Sequence, residues 1–223
     1  MSAIRRVPEP ELMDTPEQVA AYVAADFSVP HQAVVTRFDE HFPDFDGTTV
    51  LDLGCGSGDV TARFALAHPE CRIVGVDAGP TMLGAARVHF AALGIAERIE
   101  LLERHLPDPT IAEAGPFDAV ICNSLLHHLD DPHTLWTSVA LGAPGAAVLV
   151  QDLRRPDDEA TLAALVAEHT VGAHPVLVED FTHSLRASYT VAEIEAQLAA
   201  CGLSVAVEAI GDRHVVVWGR LPG

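Results

Sequence analysis

Short runs of apolar and β-branched residues alternate along the chain with stretches whose apolar positions recur at helical spacing. The runs predict strands, and the 3.6-residue spacing predicts helices. Strands are expected at residues 50–53, 71–76, 99–102, 115–123, 146–152, 203–210 and 213–218. Helices are expected after capping or first-turn signals at Thr15, Ser28, Asp59, Pro80, Asp131, Glu159 and Thr190. Alternating strands and helices predict an α/β fold with a mostly parallel sheet.

The end of the chain departs from this alternation. Two strand-like runs meet at Gly211-Asp212 and predict an antiparallel hairpin. One domain is therefore expected, divided into a helical N-terminal lid (1–47), a core (48–152), an insertion after strand five (153–189) and a terminal helix with the hairpin (190–223). Residues 1–14 are expected to form a loose tail. Within the insertion, the polar stretch 179–189 either lines a pocket or forms a solvated loop.

Composition limits the partners. The chain has 223 residues and a formal net charge of −19, and all 13 of its basic residues are arginine. Such acidity disfavours nucleic acid, which requires a basic surface, and favours a small-molecule substrate. No run approaches the ~20 apolar residues of a membrane span, so no membrane partner is expected. Four scattered cysteines indicate reduced thiols in the cytoplasm. A homodimer is left open.

A glycine loop follows the first strand directly. Gly54, Gly56 and Gly58 alternate with Cys55 and Ser57, and the helix begins at once. The succession of strand, glycine turn and helix allows the backbone to lie against a flat, polar cofactor. The alternative interpretation is a tight turn in which glycine is needed only for its dihedral angles. Asp77 ends the next strand roughly 20 residues later, where a carboxylate would bind ribose hydroxyls or else cap the following helix.

The glycine spacing separates two cofactor classes. A dinucleotide-binding loop requires glycine or alanine at the sixth position, where this chain has Asp59. The segment VLDLGCGSG, followed by Asp77-Ala78-Gly79-Pro80-Thr81-Met82, resembles the class I S-adenosylmethionine (SAM)-dependent methyltransferases that act on small molecules. The resemblance covers residues 50–150. It implies a Rossmann-like seven-stranded sheet, SAM as the cofactor and S-adenosylhomocysteine (SAH) as its product.

The resemblance also implies a set of cofactor-binding positions along these motifs. Asn123 is expected beside the methionine part of SAM, and Tyr22 either contacts SAM from the lid or packs in the core. After the third strand the chain departs from the family pattern, so backbone groups of Arg104 and His105 are expected near the adenine. The cofactor-binding set is Asp52, Gly54, Cys55, Gly56, Gly58, Asp77, Ala78, Met82, Arg104, His105, Asn123 and Tyr22.

Two adjacent histidines follow the fourth strand in the segment FDAVICNSLLHHLDDP. In similar enzymes the histidines at this place face the substrate. His128 is therefore predicted to be the catalytic base, with His127 in a lesser catalytic role because neighbouring side chains are expected to diverge. No metal is expected, since the spacing of His127, His128 and His133 does not place three imidazoles on one helix face.

The sequence thus predicts SAM-dependent methyl transfer to an N, O, S or C nucleophile of a small molecule. One alternative is an NAD-dependent oxidoreductase, which Asp59 and the terminal hairpin disfavour. A second alternative is a SAM-binding accessory protein without catalysis. The sequence leaves the identity of the methyl acceptor open.

Overall fold

The computed structural model describes residues 4–9 and 12–223, which form a seven-stranded sheet with helices on both faces. The strands are β1 (Thr49–Leu53), β2 (Arg72–Asp77), β3 (Ile99–Glu103), β4 (Phe117–Asn123), β5 (Gly142–Leu153), β6 (Ala206–Ile210) and β7 (His214–Arg220). The helices are α1 (Pro16–Ala24), α2 (Ser28–His41), α3 (Asp59–Ala67), α4 (Pro80–Leu93), α5 (His133–Val139), α6 (Glu159–His169), α7 (Pro175–Ala187) and α8 (Val191–Ala200). Short 3₁₀ helices span Ala96–Arg98, Pro109–Ala114 and Leu126–His128.

The sheet order is β3-β2-β1-β4-β5-β7-β6. Strands β1 to β5 pair in parallel, while β7 pairs antiparallel with both β5 and β6. The predicted Rossmann-like sheet with a terminal antiparallel hairpin is confirmed. The order reverses between β1 and β4, and open parallel sheets bind ligands beyond the carboxyl ends of the strands at such a point.

Both faces of the sheet are buried, because alternate strand residues enter two different cores. On β1, Leu51 and Leu53 pack with Trp136 of α5 and with α8, whereas Val50 packs against Phe38 and Phe64 from α2 and α3. A central parallel strand covered on both faces reads as a continuous apolar run. The one polar residue in this run, Asp52, is therefore exceptional and points to a function.

The insertion contains a helix that the sequence did not predict. The stretch 179–189 was expected either to line a pocket or to form a solvated loop. It is helical as far as Ala187, the end of α7. Its Asp180, Phe181 and Ser184 lie in a pocket wall, which agrees with the first alternative. His174 caps this helix by accepting from the amide of Val176, and Pro175 stands in its first turn. Arg186 pairs with Glu159 and so joins α7 to α6. The division into four parts stays a prediction.

The expectation of a loose tail at residues 1–14 is wrong for the part that the structure describes. Ile4 is buried in a small apolar cluster with Leu153, Leu162, Leu165 and Leu185. The Asp14 carboxylate accepts from the amides of Thr81 and Met82 at 2.9 and 3.0 Å and so caps α4. These contacts reach distant parts of the chain, which local periodicity does not register.

Among residues 4–9 and 12–223, no helix is both long enough and apolar enough to cross a bilayer.

Candidate active site

A cavity of about 1060 Å³ opens at the carboxyl ends of β1, β2, β4 and β5. It extends from the glycine loop to the histidine pair and is closed on its far side by α6, α7 and the start of β7. Every residue predicted for the site lines this cavity except Gly58. A ligand pocket usually has roughly 300–1,000 Å³, so this cavity has room for a large cofactor together with part of a second molecule.

The glycine loop is held close to β2 by its backbone. The amides of Gly54 and Cys55 both donate to the carbonyl of Val76, at 2.8 and 3.0 Å, and the amide of Gly56 donates to Asp77 Oδ2 at 2.8 Å. Gly56 has a φ of +52°, and a Cβ added there would meet no protein atom within 4 Å. The backbone at Gly56 is therefore open to a ligand.

The third glycine has a packing role. Gly58 has a φ of +82°, and a Cβ added there would overlap the ring of Phe90 on α4. The missing side chain allows α3 to pack closely against α4. Gly58 is absent from the cavity wall that residues 4–9 and 12–223 form, so this geometry gives its assignment to the cofactor no support, and that assignment stays a prediction.

Asp77 lies in the cavity wall with both carboxylate oxygens engaged by backbone. Oδ2 accepts from Gly56, and Oδ1 accepts from the amide of Gly79 at 2.8 Å. Burial raises the pKa of Asp77, against the effect of these hydrogen bonds. The alternative role as the cap of α4 is filled by Asp14. A carboxylate has about four lone-pair positions, so Asp77 keeps capacity for the predicted ribose hydroxyls.

Asp52 lies beneath the loop and is fully buried. Its Oδ2 accepts from the hydroxyl of Thr61 at 2.6 Å, and burial raises its pKa to about 7. The thiol of Cys55 is also buried, which raises its pKa well above the usual value and makes it a poor nucleophile. Cys55 therefore contributes its backbone and shape to the wall.

On the side of α1 and α2, the cavity wall contains a cluster of Tyr22, Phe27, His31 and Asp59. The Tyr22 hydroxyl lies 3.4 Å from His31 Nε2, and His31 Nδ1 lies 2.7 Å from Asp59 Oδ2. Burial raises the pKa of Tyr22 to about 12, and the hydrogen bond with His31 lowers that of Asp59 to about 2. Tyr22 thus packs within the lid and also lines the cavity, so both predicted roles are compatible.

Asn123 is fixed at the end of β4. Its Oδ1 accepts from Gln151 Nε2 at 3.3 Å, and Gln151 Oε1 accepts in turn from the Arg37 guanidinium. Gln151 is opposite Asn123 in the register of β4 and β5. This chain of contacts orients the Asn123 amide in the cavity wall.

His127 is the more buried member of the histidine pair, with 3% of its side chain exposed against 17% for His128. Its Nδ1 lies 2.5 Å from Asp152 Oδ1, and Asp152 Oδ2 accepts from the amide of Leu126 at 2.7 Å. Burial alone would lower the pKa of His127, but the Asp152 carboxylate outweighs it, and the pKa is raised.

The two imidazoles do not diverge as expected. Their centroids are 4.2 Å apart at an interplanar angle of 35°, and both rings line the cavity. Both rings lie near Glu9, whose Oε1 is 3.5 Å from His127 Nε2 and 3.2 Å from His128 Nδ1. Ser184 on α7 donates to the same carboxylate at 3.2 Å. One carboxylate is therefore within ion-pair distance of both neighbouring rings.

Glu9 was missed by the sequence reasoning, because no period, cap or motif marks it. The ligand atoms of Glu9, His127 and His128 lie within 4.8 Å of one another, so these three residues could hold a metal. The third histidine considered earlier, His133, instead lies beside Cys201 Sγ at 3.1 Å. The expectation of no metal stays a prediction.

The far side of the cavity combines apolar and polar side chains. The insertion contributes both kinds to this part of the wall, and strand β7 contributes a partly buried histidine. Burial lowers the pKa of that histidine, His214, to about 4. The residues of this region are Leu129, Leu153, His169, Val171, His174, Leu177, Asp180, Phe181, Ser184, Arg213 and His214.

Comparison with known proteins matches residues 51–142 to the family model described as a methyltransferase domain. The ubiquinone biosynthesis O-methyltransferase of Xylella fastidiosa (strain 9a5c) is 30% identical over 158 residues, which cover 70% of this chain and 61% of that protein. The enzyme of the same name from Pseudomonas paraeruginosa is 31% identical over 145 residues, which cover 64% of this chain and 60% of that enzyme. The chain thus spans about three fifths of these relatives.

Solved structures share the fold. An O-methyltransferase family protein from Burkholderia thailandensis aligns with a TM-score of 0.69 and 23% identity, covering 98% of this chain and 66% of that one. The plantazolicin methyltransferase BpumL, in complex with a triazolic desmethylPZN analog and SAH, aligns with a TM-score of 0.71 and 13% identity. That alignment covers 93% of this chain and 92% of BpumL.

Proposed function

The chain belongs to the class I SAM-dependent methyltransferases, and from this premise we propose that it methylates a hydroxyl group of a small, largely apolar molecule. One observation carries the proposal. A single cavity joins a glycine loop and Asp77 at one end to a histidine pair at the other. A methyl donor bound along the loop and an acceptor beneath the insertion would meet in that cavity.

In this proposal the cofactor lies across the ends of β1, β2 and β4. Asp77 binds the ribose hydroxyls, and backbone groups of Arg104 and His105 lie near the adenine. Asn123 contacts the methionine part, and Tyr22 covers it from α1. The rest of the proposed contact set is Asp52, Gly54, Cys55, Gly56, Ala78 and Met82, all of which line the cavity.

The transfer itself forms one bond and breaks one. Bound SAM would supply the methyl carbon to the acceptor oxygen, and the electron pair of the broken carbon–sulfur bond would remain with SAH. SAM supplies the activated methyl group, so the protein mainly orients the reactants and excludes water. The proton of the hydroxyl passes to His128, which lines the acceptor side of the cavity. His127, held by Asp152, supports the neighbouring ring.

The choice of a hydroxyl on an apolar molecule rests on two supports. The curated relatives are named O-methyltransferases, and the cavity wall as a whole exposes more apolar than polar surface. A net charge of −19 makes nucleic acid a poor partner. We further propose a cytoplasmic location and leave a homodimer open.

A methyl-transfer assay tests the proposal. Purified protein is incubated with methyl-labelled SAM and a panel of phenols, catechols, amines and thiols, and the label is followed by mass spectrometry. Label on a phenolic oxygen is expected.

Because general base catalysis contributes roughly 10²–10⁴-fold, His128→Ala should lower kcat by that factor while SAH affinity stays constant. His133→Ala is the matched control on the same segment. SAH binding without transfer to any acceptor would favour the accessory protein instead.

A further inference from the structure

Three side chains of metal-ligating type converge beside the cavity, although they come from distant parts of the sequence. Glu9 Oε1 lies 3.5 Å from His127 Nε2 and 3.2 Å from His128 Nδ1, and the three ligand atoms lie within 4.8 Å of one another. Donor atoms held roughly 2.0–2.2 Å from a tetrahedral ion lie roughly 3.3–3.6 Å apart. Both separations from Glu9 are therefore close to those between neighbouring ligands of one ion.

We propose that Glu9, His127 and His128 form a binding site for a divalent transition metal such as Zn²⁺. One carboxylate and two imidazoles are a ligand set that proteins use for Zn²⁺, with a further position left for water or another oxygen. The three side chains are 7%, 3% and 17% exposed, so an ion held among them would be largely shielded from solvent. The sequence expectation of no metal rested on His133 as the third ligand, whereas Glu9 takes that place here.

Metal binding changes what His128 can do in the reaction. A neutral imidazole that ligates through Nδ1 carries its proton on Nε2, so neither nitrogen can then accept another proton. The base that the proposed function assigns to His128 is therefore lost while the metal is bound, and methyl transfer should be inhibited. This consequence rests on the proposed function, whereas the metal site itself does not.

His127 has the support that a metal-ligating histidine needs. Its Nδ1 lies 2.5 Å from Asp152 Oδ1, and Asp152 is itself fixed by the amides of Leu126 at 2.7 Å and Leu153 at 2.6 Å. Metal-ligating histidines almost always engage a carboxylate, a carbonyl or water through the second ring nitrogen, which fixes the orientation of the ring. Asp152 supplies this contact and leaves His127 Nε2 on the side of Glu9.

Glu9 is held in place from two sides. The hydroxyl of Ser184 on α7 donates to its carboxylate at 3.2 Å, and metal-ligating carboxylates are commonly hydrogen-bonded in this way. Three residues earlier, Arg6 donates to the carbonyls of Leu129 at 2.9 Å and His127 at 3.2 Å. The segment that carries Glu9 is thus joined to the turn that carries the two histidines.

A second cluster of similar composition is a poorer candidate. The ligand atoms of Glu168, His169 and Asp212 also lie within 4.8 Å of one another. The Arg213 guanidinium, however, lies 2.8 Å from His169 Nε2, the nitrogen that faces Asp212 at 2.6 Å. Asp212 is also 45% exposed, against 7% for Glu9. A fixed positive charge repels a cation and water weakens its attraction to a carboxylate, so His169 provides the matched control.

Calorimetric titration of the full chain with Zn²⁺, after treatment with a chelator and its removal, tests the site without a methyl acceptor. The wild type should bind one equivalent at this site. Asp152→Asn should weaken that binding by roughly 10–10²-fold, and Glu9→Gln and His128→Gln by at least as much, because each of these two removes a ligand. His169→Gln should retain the equivalent. SAH binding, measured on every variant, shows that the fold persists.

Two results of the titration would overturn the inference. One is a wild type that binds no Zn²⁺, and the other is an equivalent that Glu9→Gln and His128→Gln keep but His169→Gln loses. Co²⁺ as a second probe should give the wild type a visible absorption band that His128→Gln lacks, and equal bands in both proteins would also count against the site.

An activity measurement tests the consequence for His128 once an acceptor is known. Zn²⁺ should inhibit methyl transfer by the wild type, and a chelator should restore it. Glu9→Gln should require at least roughly tenfold more Zn²⁺ for the same fractional inhibition, since its site is weaker. Stimulation by Zn²⁺ would overturn the inference that metal and base exclude each other. Failure of methyl transfer with every acceptor would refute the proposed function and leave the titration result standing.

Discussion

Gly56→Ala separates the fold of the glycine loop from its ligand. Gly56 has a φ of +52°, and a Cβ added there would meet no protein atom within 4 Å. The new methyl group therefore costs the backbone strain of the left-handed region, about 1–2 kcal/mol, and nothing from protein overlap. A ligand that lies against this backbone would lose its close approach. We expect the variant to fold and to bind SAH at least roughly tenfold more weakly, which corresponds to about 1.4 kcal/mol.

Gly58→Ala is the matched control in the same loop. Gly58 also has a left-handed φ, but a Cβ added there would overlap the Phe90 ring, and Gly58 does not line the cavity. Overpacking costs about 1–3 kcal/mol in addition to the backbone strain. The variant should therefore lose about 2–5 kcal/mol of unfolding free energy. The fraction that stays folded should bind SAH with nearly wild-type affinity.

Urea unfolding and calorimetric titration with SAH measure the two quantities for both variants. The expected pattern is crossed: Gly56→Ala loses affinity and little stability, whereas Gly58→Ala loses stability and little affinity. A folded Gly56→Ala that binds SAH as tightly as the wild type would refute the placement of the cofactor along this backbone.

Three further predictions concern groups around the cavity. Asp77→Asn should weaken SAH binding by roughly 10–10²-fold through the loss of charge-assisted hydrogen bonds, as titration calorimetry would show; unchanged affinity would contradict the ribose assignment. Asp14→Ala should cost about 1 kcal/mol in urea unfolding, because the amides at the start of α4 lose their cap. Burial lowers the pKa of His214 to about 4, so its contribution to stability is complete above pH ~6.5 and is lost as the pH falls toward 4. His214→Gln should reduce that loss by up to about 3 kcal/mol between pH 7 and 4, and an identical pH profile would contradict the buried neutral state.

The parts of the site that could be read from sequence are those formed by local rules. The glycine loop, Asp77 and Asn123 all follow a strand directly, and parallel strands bring their carboxyl ends to one edge of the sheet. The start of α4 was predicted correctly, since Pro80 marks it through its own backbone preference.

Other parts depend on contacts between distant segments, and sequence patterns do not carry these. Glu9 belongs to the segment whose Arg6 donates to the carbonyls of Ala187, His127 and Leu129, contacts that join it to α7 and to the histidine turn. The role of Gly58 depends on Phe90, 32 positions later, so the loop motif alone could not separate it from Gly56. The helix α7 was missed because its polar residues were taken as evidence for a loop, whereas one face of it is buried.

Calorimetric titration of the purified wild type with SAH and, separately, with NAD tests the central claim most directly. The account predicts one SAH bound per chain and no heat from NAD, because the loop has Asp59 where a dinucleotide site has glycine or alanine, and because Asp77 is proposed to bind the ribose of SAH. Saturable heat from NAD with none from SAH would contradict it.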